Sequence, residues 1–119
     1  MAAWTPEDLT LFAESPSLVL TAGAGGEPGV ELGMAVVGGE LYVRAYRGVR
    51  SRWYQAAREH GRGRIEVGGA AREVVLTTGG FDPPAGLEAA FAGKYGPVSD
   101  ALVATPDARA ATVRIDPEA

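Results

Sequence analysis

The sequence predicts a single α+β domain, residues 1–119, built on a small six-stranded antiparallel β-barrel with an N-terminal helix, one helix between strands three and four, and a short C-terminal helix. Three observations lead there. Short apolar or alternating runs recur along the chain, glycine pairs punctuate them as hairpin turns, and one amphipathic helical stretch interrupts them midway. In a chain of 119 residues, closing or nearly closing such a set of short strands removes exposed sheet edges.

Each element has its own signal. Thr5, Pro6, Glu7 and Asp8 give an N-cap, a preorganised first-turn proline and two first-turn acids, so a helix is expected from about Pro6 to Glu14, stopped by Pro16. Leu9, Phe12 and Ala13 give that helix one apolar side, suited to packing across a barrel end. Leu18 to Ala22 is a compact apolar strand, and the GAGGEPG segment after it is a turn or loop. Val30, Leu32, Met34 and Val36 alternate with smaller or polar residues as one half-buried strand. Gly38 and Gly39 turn the chain back into Leu41, Val43 and Ala45, with Tyr42, Arg44 and Tyr46 on the other face.

After Gly48 the period changes. Ser51 starts a helix through Arg52 to His60 that Gly61 ends. Arg64 to Val67 and Glu73 to Thr77 form a hairpin across Gly68 and Gly69, a small helix follows at about Leu87 to Lys94, and Ala111 to Ile115 is the last strand.

Composition narrows the function. Hydrophobic residues at 46% and charged residues at 22% describe an ordinary folded protein rather than a disordered one. The absence of cysteine removes disulfides, thiolate nucleophiles and thiolate metal sites, and the lone His60 excludes any site built on two imidazoles. His60 itself reads as a helix-end or surface residue. The first residues carry neither the basic patch nor the apolar run of a signal peptide, and no long apolar span follows, so a cytoplasmic protein without membrane contact is expected. A net charge of −4 argues against nucleic acid as a partner.

The distribution of charge is more informative than its sum. Between Arg44 and Arg64 stand seven of the eleven basic residues and one acid, Glu59, for a local +6; the remainder carries −10. Ten arginines to one lysine reflect a general preference, but that preference does not gather them in one place. A focused positive field suits a small anion. The segment also runs strand, basic glycine turn, helix start, and a helix N-terminus offers unpaired N–H groups to phosphate or carboxylate. Arg44, Arg47 and Arg50 supply charge there, and Trp53 with Tyr54 supplies a flat wall, together a pocket for a planar anionic molecule. The competing reading makes Arg50, Arg52, Arg58 and Arg62 solvated surface residues and Trp53 a core plug.

Other patterns carry less. GAGGEPG is glycine-rich after a strand, but a strand rather than a helix follows it, so the dinucleotide fingerprint fails. Asp82 with Glu88, and Glu27 with Glu31, are solvent-facing acids without a companion arrangement for acid/base work. Lys94 and Tyr95 lie after the third helix, where a helix-end cation is ordinary.

The stretch YVRAYRGVRSRWYQAAREHGRGRIEVGG resembles the flavin- and deazaflavin-dependent, nitroreductase-like split-barrel proteins, whose basic turn precedes a Trp-Tyr helix and a strand. The likeness covers about the first two-thirds of the chain. A closer one, extending through AAFAGKYGPVSDALVATPDARAATVRIDP, is to a short bacterial branch catalogued as domain of unknown function 2255. The resemblance implies a split barrel, usually a homodimer. It also implies FMN or an 8-hydroxy-5-deazaflavin coenzyme, its phosphate held by Arg44, Tyr46, Arg47, Gly48 and Arg50, with Trp53 and Tyr54 at the edge. Three functions follow: a small-molecule oxidoreductase using such a cofactor, a cofactor-independent cyclase- or isomerase-like enzyme, or a protein that only binds an anionic or aromatic metabolite. No side chain is singled out as catalytic.

Overall fold

A computed structural model describes residues 3–23 and 29–118, the side chains of residues 98, 100 and 101 excepted. Residues 24–28, most of the glycine-rich loop and Glu27 of one acid pair, lie outside that description. In chain order the elements are α1 (Pro6–Glu14), β1 (Leu18–Ala22), β2 (Val30–Leu32), β3 (Ala35–Val37), β4 (Glu40–Arg44), α2 (Arg52–His60), β5 (Arg62–Val67), β6 (Ala70–Thr77), α3 (Leu87–Tyr95), α4 (Asp100–Val103), α5 (Pro106–Ala110) and β7 (Thr112–Pro117). Short 3-10 turns sit at Gly48–Arg50 and Pro97–Ser99. Among the described residues no helix is long and apolar enough to cross a membrane.

The strands form one curled antiparallel sheet, a half-barrel in the order β2-β1-β5-β6-β7-β4-β3. It has seven strands where six were expected, because the run from Val30 to Val36 divides at Gly33 and Met34. Its first part pairs with β1 and its second with β4, so these sequence neighbours occupy the two opposite edges of the sheet. Alternation persists across the break because the period reports which face a residue takes, not which strand it pairs with. The extra strand places α2 between β4 and β5, and the expected C-terminal helix is α3, joined by the shorter α4 and α5.

The inner face carries the main core. Leu18, Leu20, Leu41, Val43, Ile65, Val67, Val74, Val113 and Ile115 are buried there with Phe12 of α1 and Tyr54 and Ala57 of α2. Trp4, just ahead of α1, stacks edge-on against Phe12 at 4.8 Å and donates its indole N–H to the Ile115 carbonyl at 2.9 Å. A second cluster lies on the other face of β3 and β4, where Ala35 and Tyr42 pack under Leu87 and Phe91 of α3 and Val103 of α4. Burial, and then the Glu40 carboxylate that accepts the Tyr42 hydroxyl at 2.8 Å, push the Tyr42 pKa up to about 12.

Two side chains at the end of α3 fasten the half-barrel through three hydrogen bonds. At the junction of the edge strands, the Tyr95 hydroxyl accepts the Met34 N–H at 2.9 Å and donates to the Pro16 carbonyl at 2.9 Å, while Lys94 Nζ donates to the Phe12 carbonyl near the end of α1 at 2.7 Å. Tyr95→Phe removes both hydroxyl contacts and strands a buried N–H, so denaturant unfolding should show a loss of about 1–3 kcal/mol. An unchanged melt would remove Tyr95 as the seam's fastener.

At the start of α1 the expected cap is a full capping box. Asp8 N–H donates to Thr5 Oγ1 at 3.1 Å, and Thr5 N–H donates to Asp8 Oδ2 at 3.3 Å. The other oxygen, Asp8 Oδ1, takes Arg72 of β6 at 3.0 and 2.6 Å. Burial by itself raises the Asp8 pKa, but hydrogen bonds from Arg72 and Thr5 outweigh it and hold the carboxyl below its ordinary value. Such a group stabilises the fold above its unfolded-state pKa and loses that contribution as pH falls through the lower folded value. Asp8→Asn should therefore be less stable than wild type at neutral pH, with the difference closing in acid; a difference that does not change between pH 7 and about pH 2 would contradict this linkage.

Candidate functional site

Beyond β4 the chain makes the basic turn expected from the sequence, and several contacts fix its path. Ala45 N–H donates to the Ala111 carbonyl at 3.1 Å, Gly48 N–H to the Ala45 carbonyl at 2.9 Å, and Ser51 N–H to the Gly48 carbonyl at 3.2 Å. Gly48 has φ +80°, and a Cβ there would meet the Asp107 Cβ at 3.1 Å, so a side chain would be both strained and crowded against α5. The Gln55 side-chain amide donates to the Val49 carbonyl and clamps the turn to the helix that follows.

The turn and α2 border a cleft of about 750 Å³, a size that suits a small molecule. Its rim carries Tyr46, Arg47, Arg50, Ser51 and Arg52; its walls are Trp53 and Ala56 of α2, Ala22 of β1, and Val30, Glu31 and Leu32 of β2. The lining is mainly apolar, with the arginines gathered at one side. Among the described residues the ion pairs are Arg44–Glu88, Arg64–Glu66, Arg72–Asp8, Arg109–Glu88 and Arg114–Asp116, so Arg47, Arg50 and Arg52 have no acidic partner there. Ser51 sits at the N-cap of α2 without a side-chain capping bond, which leaves its hydroxyl and the first-turn N–H groups available at the cleft.

Of the seven positions singled out in the sequence, four line this cleft: Tyr46, Arg47, Arg50 and Trp53. Trp53 combines both readings of it, half-buried against the main core and facing the cleft, edge-on to Tyr54 at 6.3 Å. Arg44, Gly48 and Tyr54 are not brought into the cleft lining. Tyr54 is buried, with its hydroxyl donating to the Thr78 carbonyl at 3.1 Å, and Gly48 shapes the turn. His60, at the far end of α2, is exposed, and its ring packs over Gly23.

Arg44 is 2% exposed and lies on the opposite face of β4, under the C-terminal helices. Its Nε donates to Thr112 Oγ1 at 2.8 Å and its Nη1 to the Val103 carbonyl at 2.8 Å, with Glu88 Oε1 at 3.5 Å. Arg109 reaches the same Glu88 oxygen at 2.8 Å. Burial lowers the Arg44 pKa, and Glu88 opposes that shift. Burial likewise disfavours the Glu88 carboxylate, but its own backbone N–H and the two arginines keep its pKa below the ordinary value. Arg44 therefore ties β4, β7, α3 and α4 together, a structural duty that holds its donors away from the cleft.

Sequence reasoning missed the apolar walls of the cleft. Ala22, Val30, Leu32 and Ala56 read as strand and helix core, and nothing in their pattern says that the core is open beside them. Arg52 and Ser51 carried the available signal, being part of the same basic segment at a helix start. Among the described residues no group of three or more His, Cys, Asp or Glu side chains could hold a metal ion.

A search of curated proteins finds no match to the chain. Residues 25–115 match the family described as an uncharacterized protein conserved in bacteria, DUF2255. The match takes in β2 to β7, the basic turn and the C-terminal helices, about three-quarters of the sequence, and the chain belongs to this bacterial family.

Proposed function

We propose that the protein binds a flavin-type cofactor, FMN or a deazaflavin coenzyme, in the cleft between the basic turn, α2 and β2, and acts as a small-molecule oxidoreductase. The observation that carries this reading is the gathering of Arg47, Arg50 and Arg52, without acidic partners among the described residues, around an apolar cleft bordered by the Trp53 indole. The donor set fits such a group. Guanidinium groups and helix N–H groups hold phosphate, and the indole, Val30 and Leu32 accept a flat apolar ring system. When bound, the cofactor supplies the hydride-transfer chemistry, and the protein supplies orientation and charge. The resemblance to split-barrel oxidoreductases favours the same reading, and the curled antiparallel sheet is in keeping with it.

A homodimer belongs to this proposal. Tyr46 and Val49, exposed to 45% and 40% beside the turn, offer apolar surface near the cleft for a second copy to cover. A second reading, cofactor-independent proton transfer on an aromatic acid, draws on Glu31, the one carboxylate among the described residues of the lining.

The deciding experiment is cofactor uptake. Purified protein should be yellow, or should take up added FMN or deazaflavin coenzyme with quenched cofactor fluorescence. Colourless protein that takes up neither at micromolar concentration would rule out the flavin reading and leave the aromatic-acid one.

A further inference from the structure

We infer that Ala22 and Ala56 are the specificity-determining residues of the cleft, and that they fit it to an aromatic molecule carrying one acidic group rather than to a bare anion or a neutral ring. The inference rests on the cleft being a binding site, but not on its ligand being a flavin.

Side-chain size sets these two positions apart. Along β1 the inward positions are Leu18, Leu20 and Ala22, all buried, so the strand carries its small side chain at the end that meets the cleft. Packed against β1, α2 turns Trp53 and Ala56 to the cleft and keeps Tyr54 and Ala57 in the core. Both alanines border the cavity and both count among the buried core, at 3% and 9% exposure. A leucine at either place, the residue already used at Leu18 and Leu20, would fill the space with its added carbons and complete the core. Packed interiors rarely leave such a space open. The same cleft is lined by exposed arginines, so a ligand entering it sets an apolar body against Ala22, Ala56, Val30 and Leu32 and its acidic group among Arg47, Arg50 and Arg52. Trp53 and the guanidinium groups favour a ring over an aliphatic chain, since an indole packs offset or edge-on and a guanidinium stacks on the face of an aromatic system.

The probes are anilinonaphthalene sulfonate, an aromatic acid whose fluorescence rises on binding, its sulfonate-free analogue, and FMN. Wild type should bind the dye, and bind the analogue at least about ten-fold more weakly, the effect of losing one charged hydrogen bond. Ala56→Leu and Ala22→Val fill the cleft from α2 and from β1 and should each weaken dye binding by at least about ten-fold while melting cooperatively near the wild-type temperature. Should one variant fail to fold, the other decides. Dye affinity unchanged in a folded variant, equal affinity for the neutral analogue, or no dye binding by wild type would each overturn the inference. FMN that does not bind, beside a dye response that obeys the variants, would reject the flavin reading and leave the aromatic-acid class standing.

Discussion

Arg44→Ala should lower the unfolding free energy by about 3–5 kcal/mol, the range for emptying a large buried site and breaking a buried charged network. Among the described residues Arg44 is the largest fully buried side chain, and it joins strands and helices far apart in sequence through Thr112, the Val103 carbonyl and Glu88. Its removal leaves that carbonyl without its donor, whereas Glu88 keeps Arg109. Arg44→Met, which keeps most of the volume but still leaves the Val103 carbonyl without a donor, should recover only the packing part of the loss, because removing one partner of a buried charged network remains costly. Chemical denaturation of the three proteins separates these effects. If Arg44→Ala unfolds within about 1 kcal/mol of wild type, the side chain is not the strut assigned to it.

The second large effect concerns the cleft. Replacing Arg47 and Arg50 together with alanine should weaken FMN binding by at least about a hundred-fold, since a charged hydrogen bond contributes about 1.5–3 kcal/mol and each tenfold in affinity is about 1.4 kcal/mol. Both side chains are exposed and lack acidic partners among the described residues, so stability should change little. Wild-type affinity should also fall with added salt, and the double variant should lose most of that dependence. Calorimetric titration at low and high ionic strength reads both quantities. Equal salt dependence in the two proteins would place the anion elsewhere.

The contrast between these arginines shows where sequence reading succeeds and where it stops. Local signals were legible: Thr5 with Pro6 marked the start of α1, Gly38 with Gly39 the β3–β4 turn, and Gly61 the end of α2, because caps and positive φ angles depend on residues a few positions apart. Alternation correctly put Tyr42 and Arg44 on the face opposite Leu41 and Val43. What it could not say is that α3, α4 and α5 cover that face, which turns Arg44 from a ligand candidate into a core residue. The same lack of pairing information hid the division into β2 and β3. Thr105, Pro106 and Asp107 repeat the cap signal of Thr5, Pro6 and Glu7 and could have located α5. Trp4 was the tryptophan of the main core; Trp53, the one weighed for that place, also faces the cleft.

These two tryptophans provide the most direct test of the binding site. The Trp4 indole N–H is buried and bonded to the Ile115 carbonyl, whereas Trp53 borders the cleft. In a nitrogen-15 correlation spectrum each gives one indole signal, assigned by single Trp→Phe replacements. Titration with FMN should shift the Trp53 signal and leave that of Trp4 in place. A Trp53 signal that stays fixed while FMN is added, whether or not FMN binds elsewhere, contradicts the assignment of the cleft as its binding site.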